Sequence, residues 1–372
     1  MYIFCYSFNQ NGNYITPSIL THVYEKIMEC EKKPDILALG FQETRYGFEY
    51  YWGDLAIQKE YELIRKIRLN GIGNVGIRGL GLYILKRRDS AHRVEFDNEN
   101  WVRFNYQYFG KGAVAITVNI DGLPYLFINT HLPYHESWEG GGIKERVDSL
   151  NVIYDYIISK SAYCYLFILG DFNFRVHLKT KNKYASSIIE DDPRLFEMYL
   201  RNRIYHLMYF NDELILLIHF YSSYLSELSE KRYGNEYGYS VDIPLMPIYR
   251  HMVDKFEFPP TYKVYRDRKD IQNPDITPLD LDRFYERWNT DRMPSWCDRI
   301  LTLKNPRITR IIYNSSDSLL INNSDHLPIW SLFHIDEPIH EPFLPTLQEP
   351  QNIATCNPSS AHSSLTNISS DS

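Results

Sequence analysis

The sequence predicts an α/β or α+β sandwich with a central sheet region. Three observations carry this. Short apolar runs of strand-forming residues recur along the chain, each bounded by polar residues or glycine. Two segments between them carry apolar residues at helical spacing. No unit of fixed length repeats, which argues against a solenoid or a propeller. Of the 372 residues, 44% are hydrophobic and 15% aromatic, enough for a substantial core in one large domain or two ordinary ones.

In chain order, strands are expected at residues 2–8, 36–41, 81–85, 113–120, 125–128, 163–169 and 299–303. A helix opens at Thr16-Pro17, with threonine as its cap and proline at the first helical position, followed by Ile19, Val23 and Ile27 on one face. A second helix fits residues 143–158, with Val147, Leu150, Ile153 or Tyr154, and Ile157 inward. Residues 214–256 give no clear period. Residues 265–290 are polar and broken by prolines, as in a long loop or insertion. From residue 337 the composition shifts to Pro, Ser and Asn. The expected division is therefore a folded domain over 1–336 and a disordered tail over 337–372.

Composition also bounds what the chain does. The net charge of −7 argues against a nucleic-acid partner, whose binding rests on neutralising phosphates. Cys5, Cys30, Cys164, Cys297 and Cys356 show neither CxxC nor zinc-type spacing, which fits a reduced, intracellular protein. No signal peptide, no apolar run of the ~18 residues that span a bilayer, and no prenylation cysteine are expected. The expected location is cytoplasmic and the expected state a monomer.

The chemistry lies where strands stop. One ends at Asn9, the next at Gln42-Glu43, others at Asn129-Thr130-His131 and Asp171-Phe172-Asn173. Asp298 adjoins a strand, and Asp325-His326 precedes the apolar run 327–330. Polar strand ends are common as caps and turns. Several delivered to one end of a sheet would build a rigid hydrolytic cleft. Mg²⁺ prefers oxygen ligands and takes one or two carboxylates, which suits Glu43 with Asn9 beside it. A carboxylate such as Asp171 can orient and deprotonate water. An imidazole such as His326, kept protonated by a partner such as Asp298, can stabilise charge on a phosphoryl group. The chain has no Cys-x5-Arg phosphate loop, so cysteine-nucleophile phosphatase chemistry is not expected.

These residues fall into motifs: FQET at 41–44, KGAVAI at 111–116, NTHLPYH at 129–135, GDFNFRV at 170–176, PPTYK at 259–263, PSWCDRIL at 294–301 and SDHLPIW at 324–330. In this order the chain, over residues 1–335, resembles the inositol polyphosphate 5-phosphatases, within the wider superfamily of endonuclease/exonuclease/phosphatase folds. The resemblance implies a DNase I-like α/β/β/α four-layer sandwich: two packed, mainly antiparallel sheets flanked by helices. It also implies Mg²⁺-dependent hydrolysis of the 5-phosphate of an inositol ring, most readily turning phosphatidylinositol 4,5-bisphosphate into phosphatidylinositol 4-phosphate. By position it gives Glu43 and Asn9 to the metal, Asp171 to water activation, and Asn173 to the reacting phosphate. His326 contacts that phosphate, oriented by Asp298, while His131 and Asp325 complete the cleft, Asp325 on the metal side. Tyr262, Lys263 and Arg292 would read a 4-phosphate, and Lys111 the 1-phosphate side. Two family positions differ, at Thr290 and Gly110.

The expected partner is a phosphoinositide lipid or a soluble inositol phosphate, with peripheral membrane contact through Lys86-Arg87-Arg88 and the Trp138 loop. Two other readings stay open: a nuclease or sphingomyelinase on the same scaffold, and a catalytically dead phosphoinositide-binding protein.

Overall fold

A computed structural model of the chain describes residues 1–45, 55–70, 78–104, 110–135, 142–159, 165–176, 205–209, 212–215, 217, 256–264, 294–303, 305–316, 318, 321 and 323–336. The expected loop at 265–290 and the expected tail at 337–372 lie outside them, as do Arg292, Thr290 and Trp138.

Eleven strands form two sheets among the described residues. The first has the order β10-β11-β1-β2-β4-β3, from strands Tyr2–Asn9 (β1), Ile36–Thr44 (β2), Tyr61–Leu69 (β3), Gly79–Arg87 (β4), Ile308–Ser315 (β10) and Ile329–Ile335 (β11). The second has the order β5-β6-β7-β8-β9, from Val94–Arg103 (β5), Gly112–Ile120 (β6), Leu123–His131 (β7), Tyr165–Asp171 (β8) and Asp298–Thr302 (β9). Pairing is antiparallel except at β1–β2 and β7–β8.

The period of two along each strand sorts its side chains into layers. Ile3 and Cys5 of β1 face a core shared with Val114 and Ile116 of β6 and Phe167 and Leu169 of β8, so this core lies between the sheets. Phe4, Tyr6 and Phe8 point the other way, onto Ile19, Leu20, Val23 and Ile27 of helix Pro17–Met28 (α1). On the outer face of the second sheet, Leu126, Ile128, Leu166 and Ile168 pack with Val147, Leu150, Ile153 and Ile157 of helix Ile143–Ser159. The order is therefore helix, sheet, sheet, helix, the four-layer sandwich expected. The ambiguity on the second helix resolves to Ile153, which is 2% exposed.

Several details differ from the sequence reading. Thr16 occupies the N-cap position with extended backbone, yet its side chain makes no capping hydrogen bond; Leu20 N–H donates to the Thr16 carbonyl instead. Strands β3, β5, β10 and β11 are not among those expected. The first three lie at sheet edges and carry exposed polar or charged residues, so no continuous apolar run marks them; β11 is interior, but Ser331 and His334 break its apolar run. The basic run at Lys86-Arg87-Arg88 is partly used within the fold: Arg87 pairs with Asp35 at 3.1 Å and Asp89 at 2.5 Å.

Candidate active site

Strand register alone draws the site's second-sheet residues into one row. Gly112 pairs with His131 across β6–β7, His131 with Asp171 across β7–β8, and Asp171 with Asp298 across β8–β9. From the facing sheet, Asn9 at the end of β1 pairs with Gln42 of β2, and Glu43 follows. Gly170 makes the approach to Asp171 possible. Its φ is +145°, and a Cβ there would stand 2.0 Å from the Thr130 carbonyl oxygen, so only glycine fits. Gln42 serves the sandwich itself: its amide donates to Asn129 Oδ1 at 2.7 Å, tying the two sheets together beneath the cleft.

Two residues of the cleft hold left-handed backbone, Glu43 at φ +48° and Asn173 at φ +54°. For a non-glycine residue this costs on the order of 1–3 kcal/mol and persists only where the surroundings enforce it. At Glu43 the β2–β4 register shifts between Phe41 and Thr44, so the side chain leaves the regular alternation of the strand.

Asp171 is the hub. Its Oδ2 accepts from Asn9 Nδ2 at 2.8 Å and lies 3.3 Å from His131 Nε2 and 3.8 Å from His326 Nε2. Its Oδ1 accepts from the Asn173 backbone N–H at 2.9 Å. Burial pushes this carboxyl up, but His326, His131 and Lys111 outweigh it and hold Asp171 well below the usual carboxylate range.

His326 closes the row. Its Nδ1 lies 2.9 Å from Asp298 Oδ2, which also accepts from the Thr261 hydroxyl at 2.7 Å. Burial opposes charge on both partners: it pushes Asp298 up and would lower His326. The proton belongs on the imidazole, because His326 faces Asp298 and Asp171 together, which raise it to about 9. The neighbouring Asp325, itself 6% exposed, adds to the same effect.

His131 behaves differently. Burial and the charge of Lys111, whose Nζ contacts His131 Nε2, lower its pKa and keep it neutral. Burial also lowers Lys111, against the pull of Glu43 and Asp171. Glu43 is 24% exposed; one oxygen is 2.8 Å from Arg78 and the other 3.8 Å from His131. Burial raises Glu43, and Lys111, His131, Arg78 and His326 together bring it below its ordinary value.

The segment Thr261–Val264 lies along Asp325–Leu327: Leu327 N–H donates to the Thr261 carbonyl at 2.8 Å and Val264 N–H to the Asp325 carbonyl at 2.9 Å. This seats the Tyr262 ring 4.6 Å from the His326 ring, with Lys263 next to it. Gly110 has φ +87°, and a Cβ there would meet the Arg78 carbonyl at 2.9 Å, which accounts for glycine at that position.

Asp171, Asp298 and His326 each offer a ligand atom, all within 4.8 Å of one another, a group that can hold a divalent metal ion. The donors suit a hard cation: carboxylate oxygens dominate, and Asp298 Oδ1 is buried without a hydrogen-bond partner.

Sequence reasoning leaves Arg175 and Arg299 open between structural ion pairing and phosphate contact, and misses Arg146, Asp212 and Glu213 beneath the row. Arg146 pairs with Glu213 at 2.7 Å and Arg299 with Asp212 at 2.6 Å, all four side chains essentially buried. Arg146 reads as one more helical charge, and Asp212-Glu213 adjoins the stretch without a readable period. Arg175 Nη2 donates to Asn173 Oδ1 at 2.6 Å, which fixes the orientation of that amide.

Residues 6–202 and 248–332 match the family described as Endonuclease/Exonuclease/phosphatase family 2, and the chain belongs to it. The fold, the family and the acidic group are those of metal-assisted phosphoester hydrolysis. A curated relative is the phosphatidylinositol 3,4,5-trisphosphate 5-phosphatase 1 of Xenopus laevis, 22% identical over 315 residues. That match covers 81% of this chain and 26% of the relative, so the chain spans about a quarter of the relative's length. Among solved structures, the inositol polyphosphate 5-phosphatase domain of SPsynaptojanin, in complex with inositol (1,4)-bisphosphate and calcium ion, is 20% identical with a TM-score of 0.55, covering 90% of this chain and 84% of that one. A Cimex nitrophorin ferrous NO complex gives a TM-score of 0.56 at 15% identity, covering 90% and 98%. The architecture is thus shared by proteins of different activity.

The expectation of no nucleic-acid partner is corrected. The family's description includes endonucleases and exonucleases. The physical reason is that net charge is a global sum, whereas phosphate binding is local. The cleft carries Lys111, Arg175 and His326 despite the overall −7. No helix among the described residues is long and apolar enough to cross a membrane.

Proposed function

We propose that the protein is a Mg²⁺-dependent phosphatase that removes the 5-phosphate of an inositol ring, with phosphatidylinositol 4,5-bisphosphate as the favoured substrate and phosphatidylinositol 4-phosphate as product. The observation that carries this reading is the placement of the Tyr262 ring against His326 of the His326–Asp298 pair. It puts an aromatic ring beside the reacting centre, and Lys263, the next residue in sequence, is proposed to supply the ammonium that a vicinal phosphate on a ring would require. Arg292, outside the described residues, is proposed to join them, and Lys111 to serve the 1-phosphate side. The same contacts would accept a soluble inositol polyphosphate. In this reading the domain is residues 1–336, cytoplasmic and in peripheral contact with membranes.

Glu43, with Asn9 and Asp325, is proposed to hold the metal in place of the Asp171, Asp298 and His326 group, because a protonated His326 has no lone pair to offer it. Bound Mg²⁺ supplies Lewis-acid polarisation of a phosphoryl oxygen. Asp171, fixed by Asn9 and the Asn173 N–H, orients a water for attack on phosphorus. A carboxylate held so low is a weak base, so it takes the water proton only as the new P–O bond forms. The protonated His326, kept charged by Asp298, and the Asn173 amide offset the negative charge that develops on the phosphoryl oxygens. The bond from phosphorus to the ring oxygen breaks, that oxygen takes a proton from solvent while Asp171 releases its own to solvent, and the products are inorganic phosphate and the ring hydroxyl.

Phosphate release from a panel of phosphoinositides and soluble inositol phosphates, with Mg²⁺ and with EDTA, tests the reading. Metal-dependent release confined to 5-phosphorylated compounds is expected. No release from any of them, with nicking of plasmid DNA under the same conditions, would move the protein to the nuclease side of its family.

A further inference from the structure

Three arginines lie buried beneath the cleft, and they are not equivalent. Arg146 has Glu213 and Arg299 has Asp212 as counter-ions. Arg175, 8% exposed, has none: among the described residues no carboxylate stands within ion-pair distance of it, and its Nε and Nη1 have no hydrogen-bond partner. Its guanidinium carbon lies 4.3 Å from the centroid of the Tyr134 ring and 4.2 Å from that of Tyr262. Its Nη2 donates to Asn173 Oδ1. Its backbone N–H is held by Glu213 at 2.9 Å, so the residue is fixed from both ends.

A buried cation without a counter-ion is costly, and two aromatic faces repay only part of that. Such an arrangement is kept where a charge is needed for something that arrives later. From the geometry we infer that Arg175 is a positioning residue and fixed counter-charge for the phosphate dianion of the substrate. It acts through Asn173, whose amide it orients, and through Tyr262, whose ring bridges it to His326. Its field reaches the reacting phosphate from beneath, and the arriving anion completes the pairing that the protein leaves open. This rests on the cleft being a phosphate site, and deepens that reading without depending on the inositol ring.

The test compares wild type, Arg175→Met and Arg175→Lys, measuring the Kd for inorganic phosphate by titration calorimetry and the Tm of each protein. Arg175→Met removes an unpaired buried charge while keeping much of the side-chain volume. It is expected to melt no lower than wild type while losing phosphate affinity by on the order of tenfold to a hundredfold. Arg175→Lys keeps the charge and is expected to recover most of that affinity. A purely structural arginine gives the reverse: a lower Tm for Arg175→Met with phosphate affinity unchanged, which would overturn the inference. Should Arg175→Met fail to fold, Arg175→Gln, which keeps a donor for Asn173 but no charge, decides in its place: a loss of affinity of tenfold or more supports the inference, and affinity near wild type overturns it. Because the probe is inorganic phosphate, wild type that binds it but spares every inositol 5-phosphate would refute only the substrate assignment.

Discussion

His326 Nδ1 and Asp298 Oδ2 stand 2.9 Å apart in a buried pair that register places one strand from Asp171. The pair sets the charge state of the site. With its pKa raised to about 9, above the ~6.5 of a free imidazole, His326 is a cation at neutral pH. Its contribution to stability is complete below about pH 6.5 and is lost as the pH rises through about 9.

Turnover should therefore fall on the basic side near pH 9, as His326 loses its proton. Asp298→Asn removes the carboxylate that stands 2.9 Å from that imidazole, so the basic limb should move to lower pH. A pH–rate profile of the two proteins checks this; coincident limbs would mean that another group titrates.

Asp171→Asn keeps the shape of the hub and removes its charge. Turnover is expected to drop about 10²- to 10⁴-fold, the usual range for a group that handles a proton in the transition state. Circular dichroism and phosphate binding distinguish this from misfolding. A variant as active as wild type would remove Asp171 from the reaction.

Arg78, half exposed, pairs with Glu43 at 2.8 Å and so competes with any cation bound there. Exposed pairs contribute about 0–1 kcal/mol, so Arg78→Ala should tighten Mg²⁺ binding by up to about fivefold. Calorimetric titration with the metal reads this directly, and weaker binding would place the metal elsewhere.

The buried pair of Arg299 and Asp212 should dominate a different measurement. Asp212→Ala strands a buried guanidinium and is expected to cost about 3–5 kcal/mol in denaturant unfolding. The double variant Asp212→Leu with Arg299→Met should cost clearly less. Equal losses would show that packing, and not the unpaired charge, carries the effect.

What the sequence made legible follows from burial. Strands β1, β2, β4, β6, β7 and β8 are covered on both faces and read as apolar runs. Edge strand β5, with Glu95, Asp97, Glu99 and exposed Trp101, offers no such run, because only pairing with β6 defines it. The polar residues Asn9, Glu43, His131, Asp171, Asp298 and His326 are legible as residues at or near strand ends; register aligns His131, Asp171 and Asp298, and side-chain hydrogen bonds bring Asn9 and His326 to them. The pairing of Arg146 with Glu213, of Arg299 with Asp212, and the stacking of Arg175 on two tyrosines join residues far apart in the chain, so no local pattern announces them.

The most direct test of the account follows inositol 1,4,5-trisphosphate by phosphorus NMR in the presence of Mg²⁺ and wild-type protein. The 5-phosphate resonance should convert to inorganic phosphate while the 1- and 4-phosphate resonances persist, and Asp171→Asn should abolish the conversion. Loss of the 1- or 4-phosphate first, or no release at all from metal-loaded protein, would contradict it.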